Sequence, residues 1–459
     1  MRIRKYDFNY GRRALMEKVV KGTAAAGVLA PIWPMVADAA DSTKAYPDEL
    51  TSIEMFTKGK LKPGDMIDVN TVEIVKELLD PFTYHQITTQ GRKIKLRAPT
   101  KDLTKYYPVK WLEKTIASKG QAVFGPDGNV YTKDGKTWTG GQPFPEIRTG
   151  AEALANMSLC WCKHDYSGHA IHERSVSPAG DVDYSYEFIK VELQVTARLD
   201  GQIFQNKNDL LRYHVFAFAS PSEQAGTSFL DIWHYDQRKF NDLYGYLPQF
   251  RRVRQFPTNQ RFEPLVPGVV WQLTDPWGAG DPMLTWGNFK IVERKPMLGP
   301  FQGNWTGSKP NWDHPVHGGP KGTQFFDAEW EMVPEMLVVD FEPTGYPRAP
   351  VSKKRAWIDA RTGNYFNCGR FDRQGKPWVN FELGSGQMVD GSTVWKDSHG
   401  NTEWSWQYVH IYDVQTGRIS LIEYKPQVTG GHKSQLEADP MAIYQKYCTQ
   451  EAIQRLGQV

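Results

Sequence analysis

The sequence predicts a mainly β protein of α+β character, a succession of antiparallel strands with few helices. Three observations carry that prediction. Aromatic residues make up 13% of the chain, with 16 Trp, 21 Tyr and 22 Phe, and such residues favour pleated surfaces. Turn formers are frequent, with 40 Gly and 30 Pro. Apolar and β-branched runs of strand length recur from Ser177 onward, whereas helical spacing is confined to short stretches. A sheet of this kind must cover an apolar face, by closing into a barrel or by curling around the few helices available.

The first forty residues read as an address. Basic residues and the pair Arg12-Arg13 precede a weakly apolar run, Gly22 to Val36, and the small-residue site Ala37-Asp38-Ala39-Ala40. That order is a cleavable secretory signal peptide. The run is too short to span a bilayer, which takes ~20 residues, and Pro31 and Pro34 interrupt it. Paired arginines and modest hydrophobicity point toward the twin-arginine route, although only Gly11 before the pair and Ala14-Leu15-Met16 after it fit that motif. A periplasmic location follows. The net charge of +3 supplies no large field to attract nucleic acid.

Residues 41–64 are a polar tether. Asn70 with Glu73 forms a capping box, and Val72, Val75, Leu78 and Leu79 continue at helical spacing to Pro81. Tyr107 to Ala117 is a second short helix, and 119–147 reads as loops and a hairpin. Thr149 with Glu152 is another capping box, opening a helix from Gly150 toward Leu159. Strands are expected at 186–199, Arg212–Ala219, Ser228–Tyr235, Leu243–Leu247, Gly268–Leu273 and Trp286–Val292. A Gly- and Pro-rich stretch at 299–323 is a loop arm. Hairpins return over 335–424. Two of them carry D-x-x-T-G, at Asp359–Gly363 and Asp413–Gly417, where Asp accepts turn hydrogen bonds and Gly takes the positive φ. Asp439-Pro440 starts a final helix to about Leu456. The chain thus divides into a leader (1–40), an N-terminal extension (41–147), a sheet domain (148–430) and a C-terminal helix (431–459).

A set of motifs in consistent order resembles a known family. Gly141-Gln142-Pro143-Phe144-Pro145-Glu146, then Thr149-Gly150-Ala151-Glu152-Ala153 and Asn156, resemble the N-terminal signature of DUF 1329, a family of exported bacterial envelope proteins. Tyr246-Leu247-Pro248 with Phe250-Arg251-Arg252-Val253-Arg254 resembles its central signature. Asp275-Pro276-Trp277 with Asp281 and Trp286 resembles the segment that follows, and Arg355–Asp359 and Phe371–Gly375 its C-terminal hairpins. Cys160-Trp161-Cys162 and the 299–323 arm depart from the pattern. The family is similar to the lipoprotein carriers LolA and LolB. The resemblance implies a strongly curved, unclosed antiparallel barrel wrapped around a few helices. It also implies a carrier that holds a hydrophobic or lipid-like molecule, and partnership with an inner-membrane permease and an outer-membrane protein.

Three residue sets are candidates for the site. Arg252 and Arg254 share one face of a strand after the Tyr246 corner, where two guanidinium groups could clamp a carboxylate or phosphate. They could equally form a solvated face. Trp233, Trp271 and Trp286 fall on expected strands, and could line a pocket or fill the core. Cys160, Cys162 and His164 could hold a metal or do redox chemistry, the enzyme alternative. The plainer reading of these cysteines is disulfides with Cys368 and Cys448. No C-x-x-C-H, G-x-S-x-G, H-E-x-x-H or P-loop lysine motif is present, so no cofactor and no catalytic residue is assigned.

Overall fold

The computed structural model describes residues 46, 48–159, 162–257, 261–273, 275, 280–301, 314–390 and 392–457. The leader, Cys160, Trp277 and residues 302–313 of the 299–323 arm lie outside them. Sixteen strands share one sheet among the described residues. In chain order they are β1 Met66–Ile67, β2 Ile94–Leu96, β3 Tyr166–Val176, β4 Val182–Gln194, β5 Leu210–Ser220, β6 Ser228–His234, β7 Asp242–Leu247 and β8 Arg252–Phe256. Then come β9 Gly287–Pro300, β10 Glu329–Glu342, β11 Val351–Asp359, β12 Tyr365–Asp372, β13 Pro377–Gln387, β14 Trp404–Asp413, β15 Ile419–Lys425 and β16 Gln435–Leu436.

Two antiparallel meanders, β3 to β8 and β9 to β15, meet where β15 pairs with β3. The sheet is curved and unclosed, with β9 and β8 as its outer strands. Short β2 adds in parallel to the start of β10, and β16 adds to β3. Both D-x-x-T-G turns join neighbouring strands as expected. Gly363 and Gly417 have φ of +67° and +73°, and their N–H groups donate to the carbonyls of Asp359 and Asp413 at 2.8 and 2.7 Å.

Five helices matter here: α1 Pro81–Gln90, α2 Val109–Ala117, α3 Gly150–Leu159, α4 Pro440–Tyr447 and α5 Gln450–Leu456. Helix α3 begins with the expected capping box. Glu152 N–H donates to Thr149 Oγ1 at 3.2 Å, and Thr149 N–H to Glu152 Oε2 at 2.9 Å. It packs with residues 261–273 and 280–286 into the inside of the curve. Helices α4 and α5 cover the outer face of β4 to β7. The N-terminal extension covers the outer face of the other half. Most of the sheet is therefore buried on both faces, the edge strand β8 being the exposed exception.

Several expectations need correction. The helix at 72–79 is one turn, Val72–Val75, plus a 3-10 turn. Its N-cap is Thr71 rather than Asn70. Pro81 does not end a helix but starts one, because Asp80 accepts from Phe82 and Thr83 N–H and proline suits the first position. The second helix begins at Val109, after Pro108. Strand β3 comes before the first strand expected from the pattern. Gly268–Leu273 forms only an isolated bridge, Gln272 to Pro264, as its residues turn inward onto the core. The strand expected at 286–292 runs on to Pro300, into the arm. The final helix breaks at Cys448, where Thr449 caps α5.

The disulfides are also corrected: Cys162, Cys368 and Cys448 are buried thiols. Cys368 belongs to the inner cluster and Cys448 to the outer one, so the sheet separates them. Burial pushes the Cys368 thiol up to about 12.

Gly141 shows why the first motif needs glycine. Its φ is +73°, and a Cβ there would lie 2.8 Å from Thr115 N on α2. Close contact is kept by Gln142 N–H donating to Thr115 Oγ1 at 2.8 Å. Gly141→Ala is expected to cost at least about 1–2 kcal/mol for the left-handed residue alone. Urea unfolding will show it as a lower midpoint.

Candidate functional site

The inner face of β3 to β6 carries an ordered array of side chains. Strand pairing aligns them in rows, and period-two alternation puts each row on one face. One row is apolar: Ile171, Phe188 and Phe218. The next runs His169, Lys190, Phe216 and Phe229. The third is polar throughout, Ser167, Glu192, His214 and Asp231. Gln194 and Arg212 pair beyond it, beside Trp233. All the polar members are buried. The outward neighbours Ile189, Val191, Leu193, Tyr213 and Val215 pack under α4 and α5.

Glu192 is the centre of this array. It accepts from Gln194 Nε2 at 2.6 Å and lies 3.5 Å from Cys162 Sγ, 3.6 Å from Lys190 Nζ and 3.8 Å from Arg212 Nε. Arg212 stacks 3.9 Å from the Trp233 ring centre and donates through Nη1 to the Ser158 carbonyl at 2.5 Å, in the last turn of α3. Burial, with Lys190 next, holds the His169 and His214 imidazoles well below the usual histidine range, so both are neutral.

Each of the three tryptophans donates its indole N–H to a buried carboxylate, as a buried indole requires. Trp233 donates to Asp231 at 3.2 Å, Trp271 to both Glu173 oxygens at 2.9 and 3.0 Å, and Trp286 to Asp281 at 2.9 Å. Arg261 joins Asp281 at 2.7 Å and Asp231 at 3.6 Å. The structure thus brings Trp233, Trp271 and Trp286 into one inner cluster.

It separates the other candidates. Tyr246 faces outward beneath α5. Arg252 and Arg254 share the opposite face of the exposed edge strand β8, and Arg254 lies over Phe250 at 4.2 Å. His164 uses both ring nitrogens, with Glu437 at 3.0 Å and the Trp404 carbonyl at 2.8 Å. Among the described residues no group of three His, Cys, Asp or Glu is placed to hold a metal ion.

Two small cavities flank α3. One of about 20 Å³ touches Asn156, Met157 and Trp406, and one of about 10 Å³ touches Ala155, Ser158 and Met283. A larger open groove of about 760 Å³ lies elsewhere, lined by Lys110, Asp165, Arg198, Glu437 and Asp439 among others. Burial and then Glu437 push Asp165 up to about 6 there.

Residues 66–454 match the model of the family described as "Protein of unknown function (DUF1329)". The chain belongs to the DUF1329 family. Among solved structures, this DUF1329 protein is similar to a DUF1329 family protein from Desulfovibrio piger, at 12% identity and a TM-score of 0.42, over 66% of this chain and 97% of that one. It is also similar to a LolA superfamily protein from Nitrosomonas europaea, at 11% identity and a TM-score of 0.34, over 65% and 98%. No curated protein matches it. No helix of the described residues is long and apolar enough to cross a membrane.

Lys190, Glu192, Arg212 and His214 were not among the sequence candidates. Their signal is present in Phe188–Gln194 and Arg212–Phe218 as period-two alternation. Alternating charge in a strand ordinarily marks a solvent face, which hides a buried polar wall.

Proposed function

We propose that this DUF1329 protein is an exported carrier that holds an amphiphilic guest against the inner face of its curved sheet. One observation supports this above all. The inner wall is banded, with an apolar row (Ile171, Phe188, Phe218) beside rows bearing Lys190, Glu192, His214 and Arg212. Burying such charges costs several kcal/mol per ion, and a guest that answers them would offset part of that cost. An amphiphile has an apolar chain for the first band and a polar head for the second.

Helix α3 would be the plug that such a guest displaces. Its sequence, Gly150-Ala151-Glu152-Ala153-Leu154-Ala155, is built of small residues, and cavities lie against it. At ~0.8 kcal/mol per buried CH₂, a sixteen-carbon chain makes on the order of 10 kcal/mol available for that exchange. Loading and delivery would fall to envelope partners able to move α3, an inner-membrane permease and an outer-membrane protein.

The test is to purify the protein from its native envelope without detergent, extract it into organic solvent and identify any lipid by mass spectrometry. Uptake of the apolar dye Nile red is measured in parallel. A stoichiometric amphiphile, or saturable uptake, is expected. A protein that comes out empty and takes up no dye overturns the reading.

A further inference from the structure

We infer that the guest's head is an acid, a carboxylate or phosphate monoester, seated on Arg212 with His214 and His169. This rests on the carrier reading and adds the chemical class of the guest.

The unfilled hydrogen-bonding capacity of the inner wall supports it. Arg212 Nη2, His214 Nε2 and His169 Nδ1 are all buried and have no hydrogen-bond partner. So are the Ser158 and Ser167 hydroxyls and Gln194 Oε1 close by. Buried groups are rarely left so, because each costs about 1–3 kcal/mol, and more when charged. Here they fall on neighbouring rows of one wall, where a single polar head would meet several of them at once.

The charge of that filler follows from Arg212. Its nearest carboxylate, Glu192, is 3.8 Å from Nε and already serves Gln194 Nε2 at 2.6 Å and Lys190 at 3.6 Å. Nη1 is spent on the Ser158 carbonyl, a neutral acceptor. Nη2 therefore lacks an anion, although a guanidinium stays charged at any working pH. Asp231, the next carboxylate along the row, holds Arg261, Trp233 and Asn241 on Oδ2, and its Oδ1, buried without a partner, is left to accept from a protonated oxygen of the head. An acid oxygen on Nη2 with its second oxygen on His214 Nε2–H would complete both. His169 Nδ1 and the serine hydroxyls remain for a third oxygen, as on a phosphate.

The apolar row beside this seat argues for an acid carrying a chain over a free anion. Ile171, Phe188 and Phe218 continue the same inner face, two and four residues along from the polar positions.

Displacement of Nile red tests the assignment, with hexadecanoic acid, hexadecyl phosphate and hexadecan-1-ol as competitors. The acids should compete about tenfold or more better than the alcohol, the worth of one charge-assisted contact. The acid-to-alcohol ratio should fall toward one in Arg212→Gln. His214→Leu, which leaves the ion pairs intact, should lower the ratio in the same direction and decides the matter if Arg212→Gln does not fold. If the alcohol competes as well as the acids in the native protein, the acid head is wrong while the carrier stands. A ratio unchanged in both variants overturns the seat. Inorganic phosphate alone is the control: a melting shift equal to that from hexadecyl phosphate would assign the wall to a free anion and overturn the inference. No competition by any of the three, with no dye uptake, overturns the carrier itself.

Discussion

Arg92→Met should lower the unfolding free energy at neutral pH by about 3–5 kcal/mol, the cost of leaving a buried partner charge alone. Arg92 follows the α1 C-cap, Gly91, and is fully buried. Its two terminal nitrogens each reach a Glu382 oxygen at 2.6 Å, and Nη1 also donates to Gln86 Oε1 at 2.6 Å. Glu382 accepts further from Tyr408 at 3.1 Å and faces His410 Nε2 at 3.2 Å. Burial works to raise the Glu382 carboxyl, but Arg92 and then His410 hold it well below the usual carboxylate range. A carboxylate depressed in the native state adds stability above its unfolded pKa, ~4.3, and that contribution is lost as pH falls through the native value. The difference between Arg92→Met and the native protein should therefore be full at pH 7 and shrink in acid. Urea titration at both pH values measures it. The double variant Arg92→Met/Glu382→Gln should recover much of the loss. No recovery there would mean that Arg92 acts through packing on Phe325 and Trp330, and not through the pair.

Glu173→Gln should do the opposite and stabilise the protein at alkaline pH. Burial pushes the Glu173 carboxyl from 4.5 up to about 7, in spite of hydrogen bonds from Ser420 and Trp271. The native state thus holds a proton between those values that the unfolded chain has released. A raised pKa gives stability that is complete below 4.5 and lost as pH climbs through about 7. At 1.36 kcal/mol per unit, the loss by pH 8 is about 3 kcal/mol. Glutamine keeps an acceptor for the Trp271 N–H and removes the titration. The variant should match the native protein near pH 4.5 and exceed it by about 3 kcal/mol at pH 8. Asp165 and Glu403, also raised by burial, tilt both proteins alike and cancel in the comparison. A gap that does not change with pH would show that Glu173 is ionised in the native state.

The strands were legible because each element carries its own local signal. Arg212–Ala219 alternates, Asp359–Gly363 and Asp413–Gly417 turn, and Thr149 with Glu152 caps α3, whatever surrounds them. Pro81 misled because Asp80 before it makes the same residue a start instead of a stop. Gly268–Leu273 misled because an apolar run can serve core packing without pairing, and its Trp271 seeks Glu173 across the interior. The site was the least legible part. The aromatic candidates do converge, but the charges between them depend on what covers each face. Lys190 and Glu192 look solvated in the sequence, and the fold buries both. Tyr246 and Arg254, two strands' worth of one motif, point to opposite sides because Tyr246 pairs with Val253 and Arg254 with Gly245.

The junction between the two meanders sets the order in which this fold can assemble. Hairpins within 166–256 and 287–425 close over short spans, but β15 and β3 bring Ile419 to Val176, about 240 residues apart. Chain-closure entropy makes that contact ~3 kcal/mol dearer than a ten-residue hairpin. It should form last and limit the folding rate. Until it does, both strands are bare edges that can recruit the wrong neighbour, so the newly made chain is most prone to aggregate in the interval before its two halves join.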